Sequence, residues 1–280
     1  MTVTRAHLGA VPVTSPAANG RVATVGVLTW NVQHASPARA ARQADWLASR
    51  READIVMLTE VARGAAGDHL ADALTGHGYT TYLTDAGGED YRVLLAGRVG
   101  QLEPVVSVRV GHLPHRLAAA SVTAADGRRL GVVGLYVPSR GLRDKRNAAK
   151  RAFQAAVAGV LPALPAAFGP QVPVVVAGDL NVVEPGHEPH HRVFGAWEYD
   201  FYRAFAAAGL TDAFRHRHPG TVDHSWYGRS GAGYRFDHLF CTSPHIDTLG
   251  DCRYLHQPRT SGLSDHAALA ADVTVPDPPP

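Results

Sequence analysis

Along this chain of 280 residues, polar side chains recur where apolar runs give way to loops. Asn31 follows Val27-Leu28-Thr29-Trp30, Glu60 follows Ile55-Val56-Met57-Leu58-Thr59, and Asp179 and Asn181 end a run of β-branched residues in Ala177-Gly178-Asp179-Leu180-Asn181. Phe236-Asp237-His238 and Ser264-Asp265-His266 lie nearer the carboxyl end. If these ends converge, carboxylates, amides and an imidazole share one cleft. Hard oxygen ligands without thiolates suit Mg²⁺ or Mn²⁺ rather than zinc, and a magnesium site takes one or two carboxylates and leaves room for water and a substrate phosphate. The chemistry to which this set points is hydrolysis of a phosphate ester.

Each position also has an ordinary structural explanation. Asp179 and Asn181, two apart, point to one side, so Asp179 can take a proton from water or orient it while Asn181 donates to a developing oxyanion; the same pair would suit a polar turn. Glu60 is either a metal ligand or the first exposed residue of a loop, and Asn31 either lies in the cleft or caps the next helix. In the final triplet Asp265 could bind a metal through water and His266 could contact the scissile phosphate, with Asp237 orienting His266 and holding its imidazolium. His238, next to Asp237, should face the other side of its strand and is read as structural. His187, His190 and His191, with Glu184 and Glu188, lie in a segment broken by Pro and Gly without fixed ligand spacing, which favours a mobile surface loop over a transition-metal site.

After Tyr136-Val137-Pro138-Ser139 come Arg140, Arg143, Lys145, Arg146, Lys150 and Arg151, opposed only by Asp144. That excess could track a phosphate backbone or form a solvated helix face. Trp226, Tyr234 and Phe236, close in sequence to Asp237, could stack on a sugar or base, although aromatics flanking a strand also build cores.

To bring these residues together the chain must alternate strands with helices. The pattern predicts strands at 24–30, 55–58, 79–83 and 91–96, with helices at 38–51 and 65–74. A meander follows at 105–110, 116–123 and 129–136, the last two joined by the Asp126-Gly127 turn. A long helix at 142–161 ends at Pro162 and Pro165, a buried strand covers 173–177, a helix covers 199–208, and strands near 235–241 and 267–273 complete the set. With 45% hydrophobic and 19% charged residues, this is expected to be one mixed α/β domain over 22–275, with a flexible tail at 1–21 and another at 276–280. The net charge of +2 does not diagnose a nucleic-acid partner. Cys241 and Cys252 have neither zinc nor redox spacing, residues 1–20 lack the apolar core of a signal peptide, and no run reads as long enough to cross a bilayer. The expectation is a cytoplasmic monomer without membrane insertion.

In order along the chain, Thr29-Trp30-Asn31, Leu58-Thr59-Glu60, Tyr136-Val137-Pro138, Gly178-Asp179-Leu180-Asn181, the stretch from Gly209 to Arg215, Ser225-Trp226, Arg235-Phe236-Asp237 and Ser264-Asp265-His266 resemble the endonuclease/exonuclease/phosphatase superfamily, in particular its exodeoxyribonuclease III and apurinic/apyrimidinic endonuclease branch. The resemblance implies a four-layer α/β sandwich, two mixed β-sheets flanked by helices in the manner of deoxyribonuclease I, and Mg²⁺- or Mn²⁺-dependent phosphodiester hydrolysis. It implies Glu60, Asn31 and Asp265 at the metal, Asp179 positioning the attacking water, Asn181 and His266 stabilising the phosphorane, Asp237 orienting His266, and Tyr136 at the phosphate or leaving group. Arg140, Trp226, Tyr234 and Phe236 would bind substrate. Thr59 stands where the branch has Gln, Gln33 where it often has Asp, and Ser139 where it usually has Asn, which weakens the DNA-repair assignment more than the hydrolase assignment. The leading expectation is a DNA endonuclease or 3′-exonuclease acting at abasic sites or 3′ ends. The alternatives are a phosphatase or phosphodiesterase of small phosphate esters, phosphoinositides or phospholipid head groups, and a non-catalytic binding module, which should have lost site residues that are present here.

Overall fold

Alternation along the strands divides the apolar side chains among three cores. In β1 (Ala23–Asn31) Val27 enters one core while Leu28 and Trp30 enter another, and in β2 (Ile55–Val61) Ile55 and Met57 separate in the same way from Val56 and Leu58. A strand apolar on both faces must be covered on both, so helices lie outside and a second sheet lies inside. The computed structural model describes residues 23–87, 89–141 and 144–277. The expected tail at 1–21, Arg143 and the side chains of Lys145 and Arg146 lie outside the described residues, as do residues 278–280.

The remaining strands are β3 (Thr80–Leu83), β4 (Arg92–Gly97), β5 (Gln101–Pro104), β6 (Leu117–Thr123), β7 (Arg129–Tyr136), β8 (Val174–Asp179), β9 (Leu210–Asp212), β10 (Trp226–Tyr227), β11 (Gly233–Tyr234), β12 (Asp237–Thr242), β13 (Leu249–Leu255) and β14 (Ala268–Val275). One sheet runs β13-β14-β1-β2-β4-β3 and the other β5-β6-β7-β8-β12-β9, with β10 and β11 forming a separate hairpin. Each six-stranded sheet is mixed, because β1 and β2, and likewise β7 and β8, are parallel while the other pairs are antiparallel. Val27, Met57, Leu95, Val132, Val175 and Leu239 meet between the sheets. Burying each such side chain stabilises by about 1.5–3 kcal/mol. Gly134 permits the close approach, since a Cβ there would lie 2.7 Å from Val93.

Helices α1 (Pro37–Ala48) and α2 (Ala65–Gly76) cover the first sheet through Ala40, Ala44, Leu47, Leu70 and Leu74. Helix α1 starts where the Ser36 side chain accepts from the Arg39 N–H and Pro37 follows, a strong start signal. Over the second sheet lie α3 (Asp144–Val160), α4 (Leu164–Phe168) and α5 (Ala196–Ala207), with Phe153, Val157, Phe168, Phe201 and Phe205 packed on Val133, Val176 and Phe240. Two short helices, α6 (Ala213–Arg217) and α7 (Gln257–Thr260), follow β9 and β13. The result is the four-layer sandwich that the motifs imply.

Three expectations need correction here. Residues 105–110 are not a strand: the edge strand is β5, and after Pro104 the chain leaves the sheet so that Val108 and Val110 plug the core under α3. Strand β13 escapes the alternation pattern because its register slips between Leu249 and Cys252 and exposes Gly250 and Asp251. The segment Asn147–Phe168 does reach the length and hydropathy (1.3) of a membrane span. Its large side chains Phe153, Val157, Leu161, Leu164 and Phe168 are buried in the core, while Ala148, Ala152, Ala155 and Ala163 are exposed.

Candidate active site

One row of side chains at the edge of the second sheet founds the site. Tyr136 on β7 pairs in register with Asp179 on β8, and Asp179 pairs with Asp237 on β12. Two residues back along their strands, Ala177 and Leu239 lie in the inter-sheet core, so Asp179 and Asp237 point inward, side by side. Close strand packing is secured by Gly178, whose φ of 148° and 1.9 Å Cβ clearance from the Leu135 carbonyl leave no room for a side chain.

The first sheet answers this row. Asn31, two residues beyond Thr29 on β1, donates from Nδ2 to Asp179 Oδ2 at 2.9 Å. Glu60 arrives differently. Leu58 and Val61 both face the helix-covered core although they are three positions apart, because β2 carries a bulge against β4 between them. The extra residue and the positive φ of Glu60 (54°) turn its carboxylate inward, where it accepts from the Tyr136 hydroxyl of the opposite sheet.

His266, just before β14, completes the group. Its Nδ1 lies 2.7 Å from Asp237 Oδ2, its backbone N–H donates to Ser264 Oγ, and its carbonyl accepts from the Trp30 indole. Burial alone would depress this imidazole, but Asp237, then Asp179 and Asp265, raise it to about 10, so it is an imidazolium at neutral pH with Nε2 left for the cleft. Asp179 is raised to about 8 by burial and then by Asp237, against the pull of His266. Its oxygens accept from Asn31, from the Asn181 N–H at 2.7 Å and from Asn181 Nδ2 at 3.3 Å. Tyr136 stays a neutral hydroxyl because burial and Glu60 push it well above its ordinary value.

Glu60, Arg140, Asp179, Asn181, Asp265 and His266 line one cleft of about 350 Å³, whose other wall is Phe194, Trp226, Tyr234 and Phe236. Trp226 Nε1 donates to Asp265 Oδ2 at 2.9 Å, fixing that carboxylate against the aromatic wall. Asn31 and Asp237 are buried behind this lining, bonded to Asp179 and His266, and Tyr136 reaches Glu60 from an adjoining hollow, with Arg140, Trp226, Tyr234 and Phe236 at the sides of the cleft. A hard divalent cation fits the donor set. Four carboxylates face one imidazolium, and Asp265 Oδ1 is buried without a hydrogen-bond partner. Asn31 Oδ1 accepts from the Gln33 N–H and keeps a second lone pair. Asp179, Asp237 and His266 also bring ligand atoms within 4.8 Å of one another, but a hydrogen bond already joins the last two.

Two readings of the sequence fail here. Glu184, His187 and His191 are buried rather than on a surface loop, and only Glu188 and His190 of that set are exposed. His187 accepts the Arg235 N–H at Nε2 and bonds the Pro189 carbonyl through Nδ1, while His191 bonds the Gly233 carbonyl and stacks on Tyr234 at 3.8 Å. These rings brace the hairpin that carries the aromatic wall. Lys150 belongs to neither a solvated face nor a phosphate track. It is fully buried, with Nζ 2.6 Å from Glu198 and 2.8 Å from the Asn181 carbonyl. Sequence reasoning missed Glu198, Ser225 and Arg116. Ser225 Oγ accepts the N–H groups of both Phe236 and Asp237, and Arg116 lies over the Tyr136 ring at 4.7 Å. Only Ser225, beside Trp226 in a motif, carried a usable signal.

The profile of the Endonuclease/Exonuclease/phosphatase family matches residues 28–266. Among solved structures, the 3′ phosphatase NExo from Neisseria bound to a product DNA hairpin superposes with a TM-score of 0.72 at 23% identity, covering 88% of this chain and 98% of that one. An AP endonuclease from Archaeoglobus fulgidus gives 0.71 at 21%, covering 88% and 97%. The AP endonuclease LMAP from Leishmania major gives 0.73 at 19%, covering 96% and 93%. At these identities the likeness is one of fold. No curated protein matches the chain.

Proposed function

The chain belongs to the endonuclease/exonuclease/phosphatase family and hydrolyses phosphoric esters, and from that premise we propose that it is a divalent-metal-dependent phosphodiesterase acting on DNA, at abasic sites or 3′ ends. The observation that carries the reading is the Asp179–Asp237–His266 group set against Glu60 in a cleft walled by aromatic rings. The similar structures, two AP endonucleases and a 3′ phosphatase holding a product DNA hairpin, support DNA as the substrate.

The assigned roles follow from the hydrogen bonds. Asp179, held by Asn31 and Asn181 and raised to about 8, is basic enough to take a proton from an attacking water near neutral pH. His266, kept charged by Asp237, presents an N–H to the phosphate oxygens as negative charge grows there, whereas the Asn181 amide is directed at the Val137 carbonyl and Asp179 and serves to hold that carboxylate. Tyr136 holds the Glu60 carboxylate from the opposite sheet. Mg²⁺ or Mn²⁺ would be held by Glu60 and Asp265 with Asn31 beside them, and when bound it supplies Lewis-acid and leaving-group stabilisation. Trp226, Tyr234 and Phe236 offer flat apolar surface to a deoxyribose, and Arg140 offers a cation at the mouth of the cleft.

A panel of abasic duplex, 3′-phosphate-ended duplex, undamaged DNA, RNA and small phosphate esters, each with and without Mg²⁺ or Mn²⁺, tests the proposal. Metal-dependent cleavage of the abasic or 3′-blocked duplex, lost in Asp179→Asn, is expected. A clear preference for small esters over every DNA would replace the DNA reading.

A further inference from the structure

A second groove, of about 550 Å³, adjoins the cleft and shares Arg140 with it. Its floor is one face of α3, where Ala148, Ala152 and Ala155 recur at helical spacing and keep the surface low. Arg151 and Trp197 form its side, with the guanidinium 4.7 Å above the indole ring, and Asn147 lies near its upper end.

The charge of this groove is settled beneath it. Glu198 is fully buried and is held by Lys150, by Arg140 and by the Gly195 N–H, so its carboxylate does not face the groove. One carboxylate between two cations leaves a positive charge uncompensated at Arg140, and Arg151 adds another. The groove thus combines two guanidiniums, an amide and an indole, with no carboxylate among the described residues that line it. Two guanidiniums sharing a groove with a half-buried indole suit a nucleotide whose base is free to stack, and duplex ends or flaps present such bases.

We propose that this groove is a second subsite, holding a phosphate between Arg140 and Arg151 and the adjoining unpaired base on the Arg151–Trp197 platform, so that a single-stranded flank leaves the cleft along α3. The proposal rests on the phosphodiesterase reading for its orientation and extends it to the shape of the substrate.

Two measurements on the full chain test it. One is fluorescence anisotropy of a labelled oligothymidylate at several salt concentrations. The other is hydrolysis of DNA substrates with increasing unpaired flanks on either side of the scissile ester, beside bis(p-nitrophenyl) phosphate. In the parent, flanks on one side should raise kcat/KM. R151E and W197L should each lower oligonucleotide affinity and the flank gain by about tenfold, with R151E also flattening the salt dependence. Both variants should hydrolyse the small diester at the parental rate. Equal affinities and equal flank gains in the parent and both variants would overturn the subsite. If the parent cleaves no phosphodiester yet its oligonucleotide affinity still depends on Arg151 and Trp197, the catalytic reading fails and the subsite stands.

Discussion

Two aspartate–histidine pairs occupy opposite faces of β12, one residue apart, and they behave oppositely. Asp237 points between the sheets to His266, whereas His238 points beneath α5 to Asp212, at 3.4 Å. Around Asp212 the charges are matched. Arg235, fully buried, pairs with Asp212 at 2.8 Å and with Glu184 at 3.0 Å, and Tyr202 donates to Asp212. Although burial would raise both acids, Arg235 and His238 hold Asp212 far below the usual carboxylate range and, with Arg215, bring Glu184 to about 2. Around Asp237 carboxylates outnumber cations, Asp237 Oδ1 lacks a partner, and Asp179 rises to about 8. The same residue types make a strut where charge is balanced and a reactive centre where it is not.

The sharpest way to break that contrast is to remove one carboxylate from each side. Asp179→Asn should lower kcat by about a thousandfold, within the range for general acid–base catalysis, while Tm holds or rises because a repulsive charge is gone. Steady-state kinetics beside thermal unfolding would check this, and a large loss of Tm would mean that Asp179 is structural. Asp212→Asn should do the reverse, destabilising by about 3 kcal/mol because buried Arg235 keeps only one of its two carboxylate partners, with kcat of the folded protein within about twofold of the parent. Urea unfolding decides that one.

The pH dependence should differ in sign. Glu184 falls from an ordinary 4.5 to about 2 on folding, so its contribution is present above 4.5 and is lost as pH drops toward 2, by about 3 kcal/mol in all. The loss should be absent in Glu184→Gln. In the cleft, His266 rises from 6.5 to about 10 and Asp179 from 3.8 to about 8. Their contributions are complete below 6.5 and 3.8 respectively and disappear as pH climbs through 10 and 8, so without a divalent cation the cleft should weaken the protein in alkali. Denaturant titrations across pH 2–10 would refute the contrast if both clusters failed in acid. The smallest expected effect is that of Tyr136→Phe, which removes one hydrogen bond to a carboxylate and should lower activity roughly tenfold.

What could be read from the sequence follows the same division. Asp179, Asp237 and the Ser264-Asp265-His266 turn are visible because each interrupts or borders an apolar run, and a strand's period of two says which neighbours share its face. The matched cluster is invisible for a complementary reason. Glu184, His187 and His191 sit among Pro and Gly, so nothing local reveals that Arg235, nearly fifty residues later, buries them. Lys150 hides in a basic, alanine-rich helix, where composition describes the average residue and a single partner, Glu198, decides the fate of one. The fold was easier, since helices and long strands carry their own periodicity. Strands β9, β10 and β11 are too short to show any, and β13 is broken by its bulge.

The inward turn of Glu60 depends on how many residues lie between Leu58 and Val61, more than on what they are. Were those residues to alternate regularly, the acid would share the face of Leu58, in the greasy space under α1 and α2, and the sandwich would stay otherwise recognisable. Loss of that one irregularity is therefore a cheap route from an active member of this lineage to an inert look-alike, and the backbone at that spot would sort the two before any assay.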